Sequence, residues 1–167
     1  EEEGALLAGS SSIYQSLRAG VALADLLDDP QPEWELAGGR LGHAVRRHRD
    51  LFLDKSTYSM DWYYPVLSGV IADTDARQHL AERHGEFVID GLGVRCVSDK
   101  TWVTTAETCE CAIAHLLAGD RPTADRLFAW AQAMRREEGH YLTGLVHPQM
   151  DSFPDGELTT YSAAAVI

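Results

Sequence analysis

The sequence has few basic residues, few cysteines and no long apolar run, and each shortage argues against a class of protein. Its 14 Lys and Arg stand against 26 Asp and Glu, which gives a net charge of −12. That balance disfavours a nucleic-acid partner, because binding a phosphate backbone depends on clustered cations. Three cysteines are too few for a disulfide scaffold and favour a reducing compartment. No apolar run approaches the length of a membrane span. We therefore expect a cytoplasmic protein without a membrane span.

What the sequence does contain is a pattern of Ser- and Thr-rich helix starts that recurs about every 45 to 55 residues. The starts lie at residues 9–14, 56–61, 103–107 and 158–162. Such a period is typical of stacked helical hairpins, none of which can bury its apolar face alone. The whole range 1–167 is therefore predicted to be a single domain. Because an apolar helix has only just begun at 163–167, we expect the C-terminal part of a larger domain whose N-terminal half is missing here.

The apolar periodicity predicts an all-α fold. Helices with small and apolar residues alternate with helices that carry Arg, Glu and His, which indicates an inner and an outer layer. We expect an α/α toroid, of which this chain forms a partial barrel. The predicted helices span 11–27, 33–50, 61–72, 73–87, 105–117 and 120–136, with a turn and a short extended piece at 91–97.

Two acids at equivalent helix starts are the candidate catalytic residues. Asp61 and Glu107 open the second and third inner helices, so a ring of helices would bring them to one end of a central cavity. Each also has a structural interpretation. Glu107 can close a capping box with Thr104, and Asp61 can interact favourably with a helix dipole.

Aromatic residues cluster at the same helix starts. Trp62, Tyr63 and Tyr64 directly follow Asp61, while Tyr14 and Tyr161 hold the corresponding places in the first and last repeats. We predict that these five side chains bind the substrate. Two carboxylates with aromatic walls suit glycosidic-bond cleavage, and an acid with aromatic faces equally suits alkene protonation with cation–π stabilisation of a carbocation.

The sequence predicts no metal site and identifies no cofactor. Cys109 and Cys111 point about 200° apart on a helix, so they cannot coordinate the same ion. Cys111 and His115 share a face, but a zinc site on one helix would need distant partners. Buried thiols and a hydrogen-bonded histidine are the simpler interpretation.

Several stretches resemble the α/α-toroid family of prenyltransferase β-subunits and squalene or terpene cyclases. Residues 56–70, 103–119 and 159–167 look like its inner helices, and the runs 9–18, 58–65 and 91–97 are similar to actinobacterial proteins described as prenyltransferase-like. The resemblance implies a transferase or cyclase fold. The acidic cyclase motif, the aspartate-rich diphosphate motif and the zinc ligands of protein prenyltransferases have no matching positions.

Three functions follow from these observations. The first is a prenyltransferase- or terpene cyclase-like protein that holds an isoprenoid or amphiphilic small molecule in a central cavity. The second is a carbohydrate-active enzyme of the glycoside hydrolase type with paired carboxylates. The third is a non-catalytic repeat scaffold.

Overall fold

The computed structural model describes residues 4–167, which form seven α-helices, one 3₁₀ turn and five short strands. The helices are α1 (Leu7–Leu26), α2 (Pro32–Arg47), α3 (Ser59–Leu67), α4 (Asp73–Phe87), α5 (Thr105–Leu117), α6 (Arg121–Gln132) and α7 (Thr160–Val166), with one 3₁₀ turn at Arg49–Leu51. The strands are β1 (Val88–Ile89), β2 (Gly93–Arg95), β3 (Trp102–Thr104), β4 (Gly144–Val146) and β5 (Asp151–Phe153). Every predicted helix is present. The bounds of α4 and α5 match the prediction, and the others differ from it by a few residues at one or both ends.

The helices pack in sequence-adjacent pairs. Helix α1 packs on α2, α3 on α4, and α5 on α6. Helices α1, α3, α5 and α7 also contact one another in that order. Helix α5 therefore lies between α3 and α7, with α6 and the sheet on its other sides.

The strands form one antiparallel sheet in the order β1-β2-β3-β4-β5. Its register pairs Val94 with Thr104, and Thr104 with Gly144. Gly144 in turn pairs with Phe153. Strand β3 passes directly into α5, since Thr104 is both its last residue and the helix N-cap. The sheet is thereby joined to the first turn of α5.

A threonine on α5 locks β2 against that helix. The hydroxyl of Thr108 accepts the N–H of Val94 at 2.9 Å and donates to the carbonyl of Thr104 at 2.6 Å. Gly93 allows this approach, because a Cβ there would lie 2.5 Å from the Thr108 hydroxyl, and its φ of +142° disfavours any side chain. The sheet and α5 consequently form one packed unit.

The main core lies where α3, α4 and α5 meet. The indole of Trp62 is fully buried and stacks on Phe87, with ring centroids 5.3 Å apart. A smaller core lies between one face of the sheet and the segment after α6, and contains Val103, Met134, Leu142 and Leu145.

The expected all-α toroid is wrong, because the chain is a mixed α/β structure with a five-stranded antiparallel sheet. Each strand has only two or three residues, too few for the apolar alternation over four to eight residues that marks a strand in sequence. The extended piece predicted at 91–97 is confirmed and contains β2. The addition of β4 and β5 to the sheet depends on pairing between distant segments, which no local pattern reveals.

Candidate active site

Two glutamates on one face of α5 form the centre of the candidate site. Glu107 and Glu110 are three residues apart, so their side chains are neighbours on the helix surface, and both are half-buried. The first turn of α5 is held in place by Thr105, whose buried hydroxyl donates to the carbonyl of Leu142 at 2.6 Å. The predicted capping box is absent, since Thr104 makes no side-chain cap bond. Glu107 is therefore not needed to complete the helix start.

Three tyrosines from two other helices converge on Glu110. Tyr63 of α3 donates to Glu110 Oε2 at 2.5 Å. Tyr64 of α3 and Tyr161 of α7 donate to Oε1 at 3.3 and 2.7 Å. We call Tyr63, Tyr64 and Tyr161 the tyrosine cluster. An ionised carboxylate has lone pairs enough for all three bonds, so its orientation is fixed by two neighbouring helices.

The tyrosine cluster keeps its protons. Burial, reinforced by the charge of Glu110, raises the pKa of Tyr63 well above its ordinary value. The same two causes raise the pKa of Tyr64 to about 12 and also raise that of Tyr161. At any physiological pH the three phenols are therefore hydrogen-bond donors to Glu110.

Glu107 contacts a cysteine that directly follows β2. The thiol of Cys96 hydrogen-bonds to Glu107, and burial, together with the charge of that carboxylate, raises the pKa of Cys96 to about 12. Burial likewise raises the pKa of Cys109, to about 11, and that of the fully buried Cys111. Because a thiol must ionise to act as a nucleophile, none of these three cysteines is suited to covalent catalysis at neutral pH.

Asp61 lies in a different environment from the two glutamates. Its carboxyl is buried and accepts the N–H of Ala8 in the first turn of α1, a helix whose N-cap residue makes no side-chain cap bond. Burial raises the pKa of Asp61, and the charge of Arg49 opposes this shift. The charges that act on Asp61 do not include Glu107. Asp61 therefore stabilises the start of α1, and its pairing with Glu107 in catalysis stays a prediction.

The five predicted binding aromatics lie in three different places. Tyr63, Tyr64 and Tyr161 lie together around Glu110. Trp62 is fully buried in the core against Phe87, with its indole N–H on the carbonyl of His79. Tyr14 packs against Gly42 of α2.

Sequence reasoning missed Glu110, although one signal was available. Glu110 follows Glu107 by three residues on a helix whose bounds were predicted correctly, which puts both acids on one face. The tyrosine cluster could not be assigned to it from sequence, because Tyr63 and Tyr161 are brought to α5 by tertiary packing.

Residues 4–167 lack two further features. No group of three or more His, Cys, Asp or Glu side chains among them is arranged to hold a metal ion. None of the helices in this range is both long and apolar enough to cross a membrane.

Comparison with known proteins changes the functional interpretation. No protein-family model matches the chain. The chain is 48% identical over 165 residues to the MMP endo-(1,4)-3-O-methyl-alpha-D-mannosidase of Mycolicibacterium hassiacum. The chain is similar to a glycosidase. The match covers 99% of the chain but 46% of that relative, so the chain spans about half of the relative's length.

This similarity overturns the prenyltransferase interpretation. The resemblance to prenyltransferases and terpene cyclases, and the transferase activity it implied, are wrong, because the similar enzyme is a mannosidase and the fold contains a β-sheet. The error has a physical origin: small-residue helices in adjacent pairs occur in proteins of unrelated function, so the pattern indicates packing and not chemistry. The carbohydrate-active alternative is the one that the comparison supports.

Proposed function

We propose that this chain carries part of the active site of a glycoside hydrolase that cleaves α-mannosidic bonds, with Glu107 and Glu110 as its acidic residues. The observation that carries the proposal is a carboxylate held by three phenols beside a second carboxyl group, in a chain 48% identical to a mannosidase. Glycoside hydrolases work with two carboxyl groups that flank the scissile bond.

Glu107 is the better placed of the two for proton transfer. It is half-buried, is free of any capping role, and its contact with Cys96 is with a neutral thiol. A carboxyl group that does not cap its own helix is available to act as the general acid and base of such a reaction. We therefore assign proton donation to the glycosidic oxygen to Glu107.

Glu110 is suited to the second role, which is to stabilise the charge of the transition state. The tyrosine cluster fixes both of its oxygens, and a carboxylate fixed in this way stabilises the positive charge that develops on the sugar ring in the transition state. Tyr161 is also 53% exposed, so its ring is accessible to a sugar. The cluster thus positions the carboxylate and lines the site.

The substrate class follows from the similar enzyme, whose name describes internal cleavage of a (1,4)-linked 3-O-methyl-α-D-mannose chain. We propose the same class here, a partly methylated α-(1→4)-mannan cut within the chain. Glu107 and Glu110 are only half-buried, so both side chains keep some exposure toward a bound glycan.

The direct test is to incubate the purified protein with a 3-O-methylated α-(1→4)-linked mannooligosaccharide and to identify the products by mass spectrometry. We expect shorter oligosaccharides. Glu107→Gln preserves shape but removes the transferable proton, so kcat should fall by about 10²- to 10⁴-fold. Glu110→Gln should also lower kcat strongly.

Glu137→Gln is the matched control, because Glu137 is exposed in the turn that follows α6. It should leave kcat unchanged, and circular dichroism should show that all three variants remain folded. A wild-type protein that leaves the oligosaccharide intact would refute the proposed activity. Full activity in folded Glu107→Gln would refute the role of Glu107 alone.

A further inference from the structure

An aromatic pair lies on the face of the sheet that adjoins the candidate site. Trp102 of β3 and Phe153 of β5 stack with ring centroids 4.4 Å apart and planes 11° from parallel. Both side chains are only partly buried. The core on the opposite face uses Val103 and Leu145, so the pair is not part of that core.

The strand register places Trp102 next to the residue that contacts Glu107. The N–H of Cys96 donates to the carbonyl of Trp102 at 2.9 Å, which makes the two residues neighbours across adjacent strands. The thiol of Cys96 contacts Glu107. Adjacent strands are about 4.8 Å apart, so the Trp102 backbone lies one strand beyond the residue that touches Glu107.

The same sheet face carries an exposed acid. Residues directly opposite each other in a sheet point to the same side, and Trp102 pairs with Val146, which pairs with Asp151. Asp151 is exposed. An apolar ring surface with a hydroxyl-binding carboxylate at its edge is the usual composition of a sugar-binding surface, in which aromatic area gives affinity and a few polar groups fix orientation.

We propose that Trp102 and Phe153 form a sugar-binding platform, a subsite that stacks a pyranose ring of the bound glycan at a distance from the cleaved bond. The inference rests on the proposed function for its ligand. Its chemistry favours a sugar that carries O-methyl groups, since methyl groups add apolar surface to the ring that faces the aromatic pair. The carboxylate of Asp151 accepts a hydrogen bond from a hydroxyl group of the same ring.

The first experiment measures steady-state kinetics on the 3-O-methylated α-(1→4)-mannooligosaccharide. Trp102→Ala should raise KM at least fivefold and change kcat by less than twofold, because the platform binds sugar without touching the reacting bond. Trp102→Phe should recover most of the wild-type KM. The matched control is Trp34→Ala, which removes a 45% exposed tryptophan of α2. Unchanged KM in folded Trp102→Ala would overturn the platform.

The second experiment is a fluorescence titration with the same oligosaccharide, and it does not require turnover. Quenching of tryptophan fluorescence by the oligosaccharide should persist in Trp34→Phe and disappear in Trp102→Phe. The phenylalanine of Trp102→Phe can still stack on Phe153. The unmethylated oligosaccharide should bind more weakly than the methylated one. Equal quenching in both variants would overturn the platform. Saturable quenching that depends on Trp102, without any hydrolysis, would support the platform while refuting the proposed activity.

Discussion

Helices α5 and α1 differ in how many of their sides other elements cover, and the site lies on the more enclosed one. Eight of the 13 residues of α5 are buried, against four of the 20 in α1. Helix α5 is packed by α3, α6, α7 and the sheet, whereas α1 packs on α2 and α3. A residue on α5 therefore has several neighbours to hold it in place, as Glu110 does. Exposed leucines such as Leu23 and Leu26 mark the open side of α1.

The difference explains how α5 can hold a carboxylate as firmly as Glu110 is held. Small side chains let the neighbouring helices approach α5 closely, and its buried residues are Ala, Cys, Thr and one His. Close approach brings the phenols of α3 and α7 within hydrogen-bond distance of Glu110. A site needs such support because a loosely held group loses the geometry that the reaction requires.

The largest expected effect tests whether the core beneath α5 dominates stability. Trp62→Ala removes a fully buried indole that stacks on Phe87, and we expect the free energy of unfolding to fall by about 3–5 kcal/mol. The control on the open helix is Leu23→Ala, where a 57% exposed side chain is lost and the change should stay within about 0.5 kcal/mol. Urea unfolding measures both. Similar losses of unfolding free energy in the two variants would contradict the difference between the enclosed α5 and the open α1.

An intermediate effect is expected where α1 and α2 meet. A Cβ added at Gly42 would lie 2.6 Å from the ring of Tyr14, so Gly42→Ala should destabilise the protein by about 1–3 kcal/mol through overpacking.

Gly39→Ala in the same helix is the matched control, since nothing lies within 4 Å of its added Cβ. It should stabilise the protein by up to about 1 kcal/mol, because alanine is the better helix former. If both variants change stability by the same amount, Tyr14 does not limit the approach of α1 to α2.

The smallest expected effect is a loss of stability in mild acid. Burial lowers the pKa of His115 and His84, whose rings lie 5.8 Å apart between α5 and α4. Asp120 opposes the shift at His115 and Arg126 adds to it. The unfolded chain therefore binds protons on these histidines at a higher pH than the folded chain does. Their contribution to stability is complete above about pH 6.5 and is lost as the pH falls through their lower folded-state pKa values.

Urea unfolding at pH 7.5 and pH 5 measures this loss. The loss of stability between these two pH values should be smaller in His115→Gln than in the wild type. His43→Gln, on an exposed histidine of α2, should keep the wild-type loss. An acid sensitivity that survives in His115→Gln would assign the effect to other groups.

The helices were predictable from sequence because they depend on local periodicity. The bounds of α5 follow from an apolar run between Thr104 and Gly119, and those of α4 from its polar start at Asp73. The sheet was not predictable, because strands of two or three residues carry no periodic signal and pair with partners far along the chain.

The candidate site, like the fold, could be predicted only in part. Glu107 could be selected from its helix start, and Tyr63, Tyr64 and Tyr161 from their phase in the repeat. Their common target, Glu110, was missed because the bonds that single it out join three helices. Trp62 differs from the three tyrosines, since its side chain is buried in the core, and its predicted role in binding substrate stays a prediction.

By itself, the order of amino acids determined the helices, the acidic surface charge and the list of acids and aromatic residues available for chemistry. These properties depend on neighbours within a turn or two of helix. Tertiary structure alone decided which acid meets which tyrosine, and which aromatic rings lie on the sheet face beside Glu107. The physical reason is that such contacts join segments separated by tens of residues, and only the packing of α3, α7 and the sheet around α5 brings them together.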